Sequence, residues 1–386
     1  GLLGAGRIAR RFHLPILASM PGVDLVAVAE PLADARDACL DLAPGTTSFH
    51  ADFAELLDAH PLDAVVICLP PALHSRAAVA GFARGLHVYV EKPLAISAGD
   101  GRGVLDAWRR AGTVGMVGFN HRFHPLALAL KDEVARGRVG DVTLVRTAFA
   151  GAQRTLPAWK RARESGGGAL LDLASHQVDL VRFLFDAEIV DVSALTRSAQ
   201  SEGDTTIAAL RLSTGPLVCL CASLAATEED RIEVHGTRGG LVFDRYRSSR
   251  LHRLPERRDF RVAARLRASL DVAGRTLLAL RDALFPPRDT TFALALESFV
   301  AAARGGGPAK PDLDDGMASL AVVLAAAATL AAAFTAANGL MLLPPIVLLS
   351  ILRGRRREAM LLTVLGIVLF ALYFIGYETP AGRTPI

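Results

Sequence analysis

The sequence predicts an α/β protein with two parts of different architecture. A glycine-rich turn, Gly4-Ala5-Gly6, follows a short apolar run at the start of the chain, and continuous apolar runs such as residues 64–69 alternate with helical patterns. These features indicate a parallel sheet covered by helices on both faces. From Asp141 onward, apolar and polar residues alternate as they do in half-buried strands. The length of 386 residues allows each part its own core.

The first turn has the spacing of a dinucleotide-binding site. Gly4, Gly6 and Ala9 fit the G-x-G-x-x-G/A pattern that joins a first strand to a first helix. Gly4 would form the tight turn, and Gly6 would let the backbone approach a pyrophosphate. The N-terminal amides of the helix would then bind that anion.

The end of the second strand indicates which dinucleotide is bound. This strand covers residues 23–29 and is followed by Glu30. A carboxylate about 20 residues after the glycine turn binds the hydroxyls of the adenosine ribose. The same charge repels the 2′-phosphate of NADP, and no arginine directly follows Glu30. The sequence therefore predicts NAD as the cofactor, with NADP as the less favoured alternative.

Two later strands of the predicted parallel sheet end in polar residues. The strand over residues 87–90 ends at Glu91-Lys92-Pro93, and the last strand, over residues 114–120, ends at Asn120. Ligands of such sheets bind at the carboxyl ends of the strands, so Lys92 should point into the crevice there. The residues that we expect to contact the cofactor are Gly4, Gly6, Arg7, Ile8, Glu30, Pro70, His74, Glu91, Lys92 and Asn120.

A second cluster of candidate residues follows three consecutive glycines, residues 166–168. An apolar helical pattern begins there, and on it Asp172 and His176 are four residues apart, so both side chains leave the same face. A carboxylate beside an imidazole can hold its tautomer and raise its basicity, which suits proton abstraction near neutral pH. Trp159, with its neighbours Lys160 and Arg161, precedes the glycines and could line the substrate cleft.

Taken together, these motifs resemble the Gfo/Idh/MocA oxidoreductases, the family of glucose–fructose oxidoreductase and inositol dehydrogenase. The matching segments are the first glycine turn, Glu91-Lys92-Pro93, residues 118–125, residues 166–180 and a glycine turn at residues 235–241. The resemblance covers residues 1 to about 335. It implies a Rossmann domain over residues 1–121 and an α/β domain over residues 122–337, which binds the substrate, pairs the subunits and contains a large, mostly antiparallel open sheet.

The resemblance also implies an activity, which is hydride transfer between NAD(P) and a hydroxyl-bearing carbon of a sugar, inositol or related polyol. Lys92 would hydrogen-bond the reacting hydroxyl, and His176 would be its general acid/base. Asp172 would position and polarise His176 or contact the substrate. Asn120 would lie beside the nicotinamide or the substrate, and Trp159 would complete the substrate site. Two alternatives remain, an enzyme that retains NAD for isomerisation or glycoside cleavage and a non-catalytic NAD-binding regulator.

Other partners are constrained by composition and by the resemblance. The net charge is only +4, and no nucleic-acid module is present, so nucleic acid is not expected as a partner. Cys219 and Cys221 form an isolated C-x-C without a second pair, which predicts structural cysteines and no metal site. Four cysteines and no secretory leader favour a reducing, cytoplasmic compartment. The family resemblance implies a homo-oligomer, either a dimer or a tetramer.

The tail, residues 338–386, does not fit that family. Residues 359–377 contain no charged side chain over a length that can span a bilayer, and arginines at residues 353–357 precede them. With those arginines inside, the sequence predicts a hydrophobic C-terminal helix that anchors the protein to the inner face of the cell membrane. The alternatives are a buried dimerisation helix or a foreign tail from a frame change or a fusion.

Overall fold

The computed structural model describes residues 1–152, 156–256 and 289–328. Residues Gly1–Ala326 form one compact unit. The described part contains two sheets, and each has helices packed against it. The predicted hydrophobic C-terminal helix and membrane anchor, residues 359–377, lie outside the described residues. Within the three described ranges, no helix is long and apolar enough to cross a membrane.

The first sheet is parallel in every described strand pair, as the sequence predicts. Its strand order is β3-β2-β1-β4-β5-β6. The strands are β1 (Leu2–Leu3), β2 (Ala27–Ala29), β3 (Ser48–His50), β4 (Ala64–Ile67), β5 (His87–Val90) and β6 (Gly115–Val117). The second strand is shorter than predicted because residues 23–26 are not paired in the ladder.

Helices cover both faces of this sheet, which explains why its strands are continuous apolar runs. Leu3 and Val65 belong to the core on one face, and Leu2 and Val66 belong to the core on the other. A π-helical turn (Ala9–His13) leads into the first helix. The helices are α1 (Leu14–Ser19), α2 (Ala33–Leu40), α3 (Phe53–Ala59), α4 (His74–Ala83) and α5 (Ala98–Ala111).

The second sheet is mostly antiparallel, as the resemblance implies. Its order is β13-β12-β11-β7-β10-β9-β8, and β7 with β10 is the parallel pair among the described strands. The strands are β7 (Val142–Ala150), β8 (Ile189–Arg197), β9 (Thr205–Leu212), β10 (Leu217–Ser223), β11 (Glu229–Gly236), β12 (Gly239–Asp244) and β13 (His252–Leu254). The predicted glycine turn joins β11 to β12.

One face of this sheet is covered by α6 (Pro125–Ala135) and α8 (Ser175–Phe185), whose apolar residues share a core with β11 and β12. A short helix, α7 (Ala158–Arg161), and a second π-helical turn (Leu170–Ala174) precede α8. The chain then returns to the first sheet. There α9 (Thr291–Ala303) packs on Leu2 and Tyr89, and α10, residues 313–328, begins in the opposite core.

Candidate active site

The glycine turn has the geometry that a dinucleotide pyrophosphate needs. Gly4 has φ +93°, and a Cβ there would lie 2.7 Å from the carbonyl oxygen of Cys68, so only glycine fits without strain. A Cβ on Gly6 would meet nothing within 4 Å. The protein therefore leaves open space at Gly6, where a ligand can approach the backbone. Ala9 is buried, as close packing of helix and strand requires.

Glu30 lies against this turn at the end of β2. Its Oε2 accepts a hydrogen bond from the Ala5 amide at 2.8 Å, and its Oε1 accepts one from the Leu32 amide at 3.1 Å. The carboxylate is thus at the edge where the adenosine ribose would bind. Arg36, which no sequence motif singled out, donates to the Glu30 carbonyl at 2.7 Å and brings a cation to the same edge.

Two residues that were expected to contact the cofactor are engaged inside the protein instead. His74 is 1% exposed, and its Nδ1 and Nε2 lie 2.7 and 2.8 Å from the carbonyl oxygens of Pro93 and Leu69. Both ring nitrogens are therefore occupied, so His74 supports the loop that follows Lys92. Glu91 likewise has a partner within the protein, with its Oε1 2.7 Å from Nε2 of His13.

Lys92 forms the centre of the site at the end of β5. Its Nζ donates to the main-chain carbonyl of Asp172 at 2.6 Å and to Oδ1 of the same residue at 2.9 Å. Lys160 donates to the other carboxylate oxygen, Oδ2, at 2.6 Å. Burial alone would raise the pKa of Asp172, but Lys92 and Lys160 outweigh it and hold that pKa well below its ordinary value. Asp172 is therefore ionised.

This arrangement corrects the expected pairing of Asp172 with His176. Both carboxylate oxygens of Asp172 are taken by ammonium groups, which are stronger partners than a neutral imidazole. Asp172 also lies in a π-helical turn, while His176 lies in the α-helix that follows. Helical spacing places both residues in one site, but the Asp172 carboxylate positions Lys92. It does not hydrogen-bond His176 and therefore does not set the tautomer of that ring.

His176 is buried among aromatic rings and is uncharged at neutral pH. Its ring stacks on that of His121 with centroids 4.1 Å apart, and the edges of Phe119 and Phe149 pack around it. Burial, with smaller contributions from the nearby cations Lys92 and Arg245, holds the pKa of His176 well below its ordinary value. Its Nδ1 is buried without a hydrogen-bond partner among the described residues. A neutral imidazole of this kind can accept a proton.

The remaining predicted residues differ in how far they are exposed to solvent. Asn120 is 2% exposed, and its amide nitrogen donates to the Thr291 hydroxyl at 2.7 Å. Trp159 is half-buried, with the ammonium of Lys160 5.2 Å from its ring centroid. Arg7 and Ile8 are exposed directly before the π-helical turn, and Pro70 is half-buried three residues after the end of β4.

Comparison with known proteins agrees with this geometry. A family model described as an oxidoreductase family with an NAD-binding Rossmann fold matches residues 1–119. A model of the GFO/IDH/MocA C-terminal domain matches residues 127–242. The inositol 2-dehydrogenase of Rhizobium meliloti (strain 1021) is 30% identical over 336 residues, or 83% of this chain and 93% of that protein. The chain belongs to the Gfo/Idh/MocA family.

Further similarities lie within the same family of folds. The 1,5-anhydro-D-fructose reductase of Ensifer adhaerens is 31% identical over 63% of this chain and 74% of its own. The WlbA dehydrogenase of Bordetella pertussis, solved with NADH and UDP-GlcNAcA, superposes with a TM-score of 0.71 at 22% identity and covers 85% of this chain and 94% of that one. A levoglucosan dehydrogenase solved with NADH and levoglucosan gives 0.70 at 22% identity, covering 86% and 96%.

The residues at the nucleotide edge fit NAD. Open space over Gly6, an acid at the end of β2 and the positive φ of Gly4 are the features that a bound dinucleotide requires. The protein is accordingly an NAD-dependent oxidoreductase. The motifs and the family resemblance predicted Lys92, Asp172 and His176 as site residues, and the fold brings these three together. The motifs did not reveal the stack of His121 on His176 or the contact between Lys160 and Asp172.

Proposed function

We propose that the protein is an NAD-dependent dehydrogenase that oxidises a hydroxyl-bearing carbon of a sugar, inositol or related polyol. The observation that carries the proposal is the cluster of Lys92, Asp172 and a neutral His176 beside the carboxyl ends of the parallel strands. Relatives named inositol 2-dehydrogenase and 1,5-anhydro-D-fructose reductase support this substrate class.

The proposed roles follow from the charge on each group. Bound NAD⁺ supplies the hydride acceptor. Lys92 donates a hydrogen bond to the reacting hydroxyl and stabilises the negative charge that develops on its oxygen. Neutral His176 takes the hydroxyl proton, which it can do because burial keeps it uncharged. Asp172 holds the Lys92 ammonium in place through two hydrogen bonds, so it acts as a positioning residue.

The cofactor and substrate contacts are further parts of the proposal. Gly4, Gly6, Arg7 and Ile8 would surround the pyrophosphate, and Glu30 would bind the adenosine ribose. Pro70 would border the nicotinamide end of the crevice. Support comes from the open space over Gly6 and from the position of Glu30 at the turn. Asn120 and Trp159 would border the substrate, because Asn120 precedes His121, which stacks on His176, and Trp159 lies beside Lys160.

The test is a screen of inositols, hexoses and related polyols with NAD⁺, followed by absorbance at the NADH band. Lys92→Ala and His176→Ala should each abolish turnover of the best substrate while NAD binding persists. Intact turnover in both variants would refute the assigned roles. Product without free NADH would instead support an isomerase or glycosidase that retains its cofactor, and NAD binding without any turnover would support a regulator.

We also propose that a second copy of the chain covers the open face of the second sheet. Apolar neighbours on adjacent strands are exposed there, with Leu195 paired to Ile207 and Leu217 paired to Leu144. Their exposed fractions are 75% for Leu195 and 52% for Ile207. Such a patch on a sheet face is typical of a protein interface. The same face carries charges of both signs, Arg146 and Glu233. Each copy of the face would therefore offer both charges to the other copy.

The proposed domain limits, residues 1–121, 122–337 and 338–386, and the membrane anchor rest on the sequence. The anchor is supported by the uncharged segment at residues 359–377 and the arginines before it. Its test compares the full chain with a variant that ends at residue 338, by partition between membrane and soluble fractions. An equal soluble share of both would refute anchoring.

A further inference from the structure

A second ammonium group, that of Lys160, reaches the active-site carboxylate. The Nζ of Lys160 is 2.6 Å from Oδ2 of Asp172, while the Nζ of Lys92 is 2.9 Å from Oδ1. One buried carboxylate is thus shared by two lysines. The Lys160 side chain is 24% exposed and that of Lys92 is 13% exposed, so both border the open part of the site.

The position of Lys160 is fixed by the backbone around it. A Cβ on Gly167 would lie 2.4 Å from the carbonyl oxygen of Lys160, so the glycine lets α7 rest directly on the turn that leads to Asp172. The Gly167 amide donates to the Ala162 carbonyl at 2.9 Å, and the Ser165 hydroxyl donates to the Trp159 carbonyl at 2.8 Å. These contacts pack α7 against the glycine turn, where the Lys160 side chain reaches Asp172.

The reaction proposed above does not use all of this positive charge. Each ammonium has three N–H groups. Lys92 gives two of them to Asp172 and has one for the reacting hydroxyl. Lys160 gives one to Asp172, and its ammonium has no second hydrogen-bond acceptor among the described residues.

We propose that Lys160 binds a carboxylate on the substrate, which makes the substrate a sugar acid or an acidic polyol. This inference rests on the proposed dehydrogenase function, because it assumes that the hydroxyl to be oxidised lies at Lys92. A compact ammonium with free donors takes an anionic oxygen as its best partner. The carboxylate would lie at Lys160 while the hydroxyl lies between Lys92 and His176, so the two lysines would also fix the orientation of the sugar.

A different role for Lys160 makes a different prediction. If Lys160 only held Asp172 in place, its removal would weaken the handling of neutral and acidic sugars alike. If it binds a carboxylate, its removal would affect acidic sugars alone. Asp172 keeps Lys92 as a partner in either case, so the buried carboxylate is not left without a cation.

The experiment measures binding by calorimetry on the full chain saturated with NADH. The probes are D-glucuronate and D-galacturonate, each against its neutral parent, D-glucose or D-galactose. Wild type is compared with Lys160→Met and Lys160→Arg. The matched control is Lys310→Met, which removes an ammonium that is 59% exposed outside the site. Thermal melting verifies that each variant is folded.

We expect wild type to bind at least one acid about tenfold or more tightly than its neutral parent, as one charge-assisted hydrogen bond allows. Lys160→Met should remove that preference and leave the neutral sugars within about threefold. Lys160→Arg and Lys310→Met should keep it. Equal binding of acids and parents by wild type, or equal losses for both in Lys160→Met, would overturn the proposal. If acids bind through Lys160 but no sugar acid, inositol or hexose yields NADH when the chain is supplied with NAD⁺ instead, the carboxylate site stands and the dehydrogenase function fails.

Discussion

The ammonium nitrogen of Lys92 lies 2.9 Å from Oδ1 of Asp172 and 2.6 Å from the main-chain carbonyl oxygen of the same residue. This contact joins the end of β5 in the parallel sheet to the helical segment that packs on the second sheet. A lysine with two acceptors from one residue has little freedom, so its third N–H points in a defined direction. The pairing thus positions the donor that the proposed reaction needs.

Removal of the Lys92 ammonium should abolish most of the activity without unfolding the protein. We expect Lys92→Met to lower kcat/KM for the best substrate by about 10²- to 10⁴-fold, because the developing alkoxide loses its charged donor. Lys310→Met, which makes the same chemical change at an exposed site, should stay within about twofold. Steady-state kinetics with NAD⁺ in excess measures both. Comparable losses in the two variants would show that the effect is not local.

Much of the nucleotide half was predictable from the sequence, because its signals are local. The positive φ of Gly4 and the acid after β2 belong to a motif of residues close together in the sequence. The strands β4 and β5 were recognised from their continuous apolar runs. The strand lengths were less predictable. The second strand was predicted over residues 23–29, whereas the regular ladder covers Ala27–Ala29, and only the assembled sheet reveals where that ladder begins.

The active-site contacts were only partly predictable, because partners distant in sequence compete for each side chain. Asp172 and His176 share a helical face, but Lys92 and Lys160 take both carboxylate oxygens of Asp172. His74 follows a strand end, which indicates the crevice, yet its ring turns inward to two carbonyl oxygens. Sequence spacing predicts which part of the fold a side chain lies in. It does not predict which hydrogen-bond partner the side chain has there, because that partner comes from a distant segment.

The two glycines of the first turn should respond differently to alanine. Gly6→Ala should leave the melting temperature within about two degrees, since its Cβ meets no protein atom, while the methyl group blocks the pyrophosphate and weakens NAD binding at least tenfold. Gly4→Ala should destabilise the fold by about 2 kcal/mol or more, because its φ is positive and its Cβ contacts Cys68. Calorimetry and thermal melting separate the two effects. Normal NAD affinity in Gly6→Ala would refute the assigned site.

The charge of Glu30 should decide the preference for NAD over NADP. Glu30→Gln removes the repulsion of a 2′-phosphate and leaves an oxygen that can accept from the Ala5 amide. We expect the ratio of NADPH to NADH affinity to rise about tenfold, helped by the nearby Arg36. The control is Asp34→Asn, an exposed acid on α2. Fluorescence titration measures both ratios, and equal ratios in wild type and Glu30→Gln would contradict the role of Glu30.

The buried histidines should make the fold sensitive to mild acid. Burial lowers the pKa of His176 and His121 well below the ordinary value, and burial with Arg245 lowers that of His124 to about 4. Below about pH 6.5 the unfolded chain binds protons that the folded chain does not, so the free energy of unfolding falls as pH falls. Urea midpoints at pH 7.5, 6.0 and 5.0 measure this.

His121→Phe provides the test of that cause, because it keeps a flat ring against His176 and removes one titrating group. The variant should lose less stability than wild type over the same pH steps. The difference should approach about 1.4 kcal/mol per pH unit below the unfolded-state pKa, the value for one proton. Identical pH dependence in the two proteins would mean that other groups, such as the ion-paired carboxylates, control acid unfolding.

A charge on the open face of the second sheet should separate the proposed subunits. Leu195 is 75% exposed and lies opposite Ile207 on the neighbouring strand, so a second copy would bury both. Leu195→Glu should place an unpaired carboxylate in that contact, which costs several kcal/mol when it is desolvated. Light scattering after size-exclusion chromatography should then show a smaller species than wild type. Leu40→Glu on α2, where the leucine is 58% exposed, should leave the mass unchanged. A monomeric wild type would refute the interface outright, and an unchanged mass in Leu195→Glu would place the contact elsewhere.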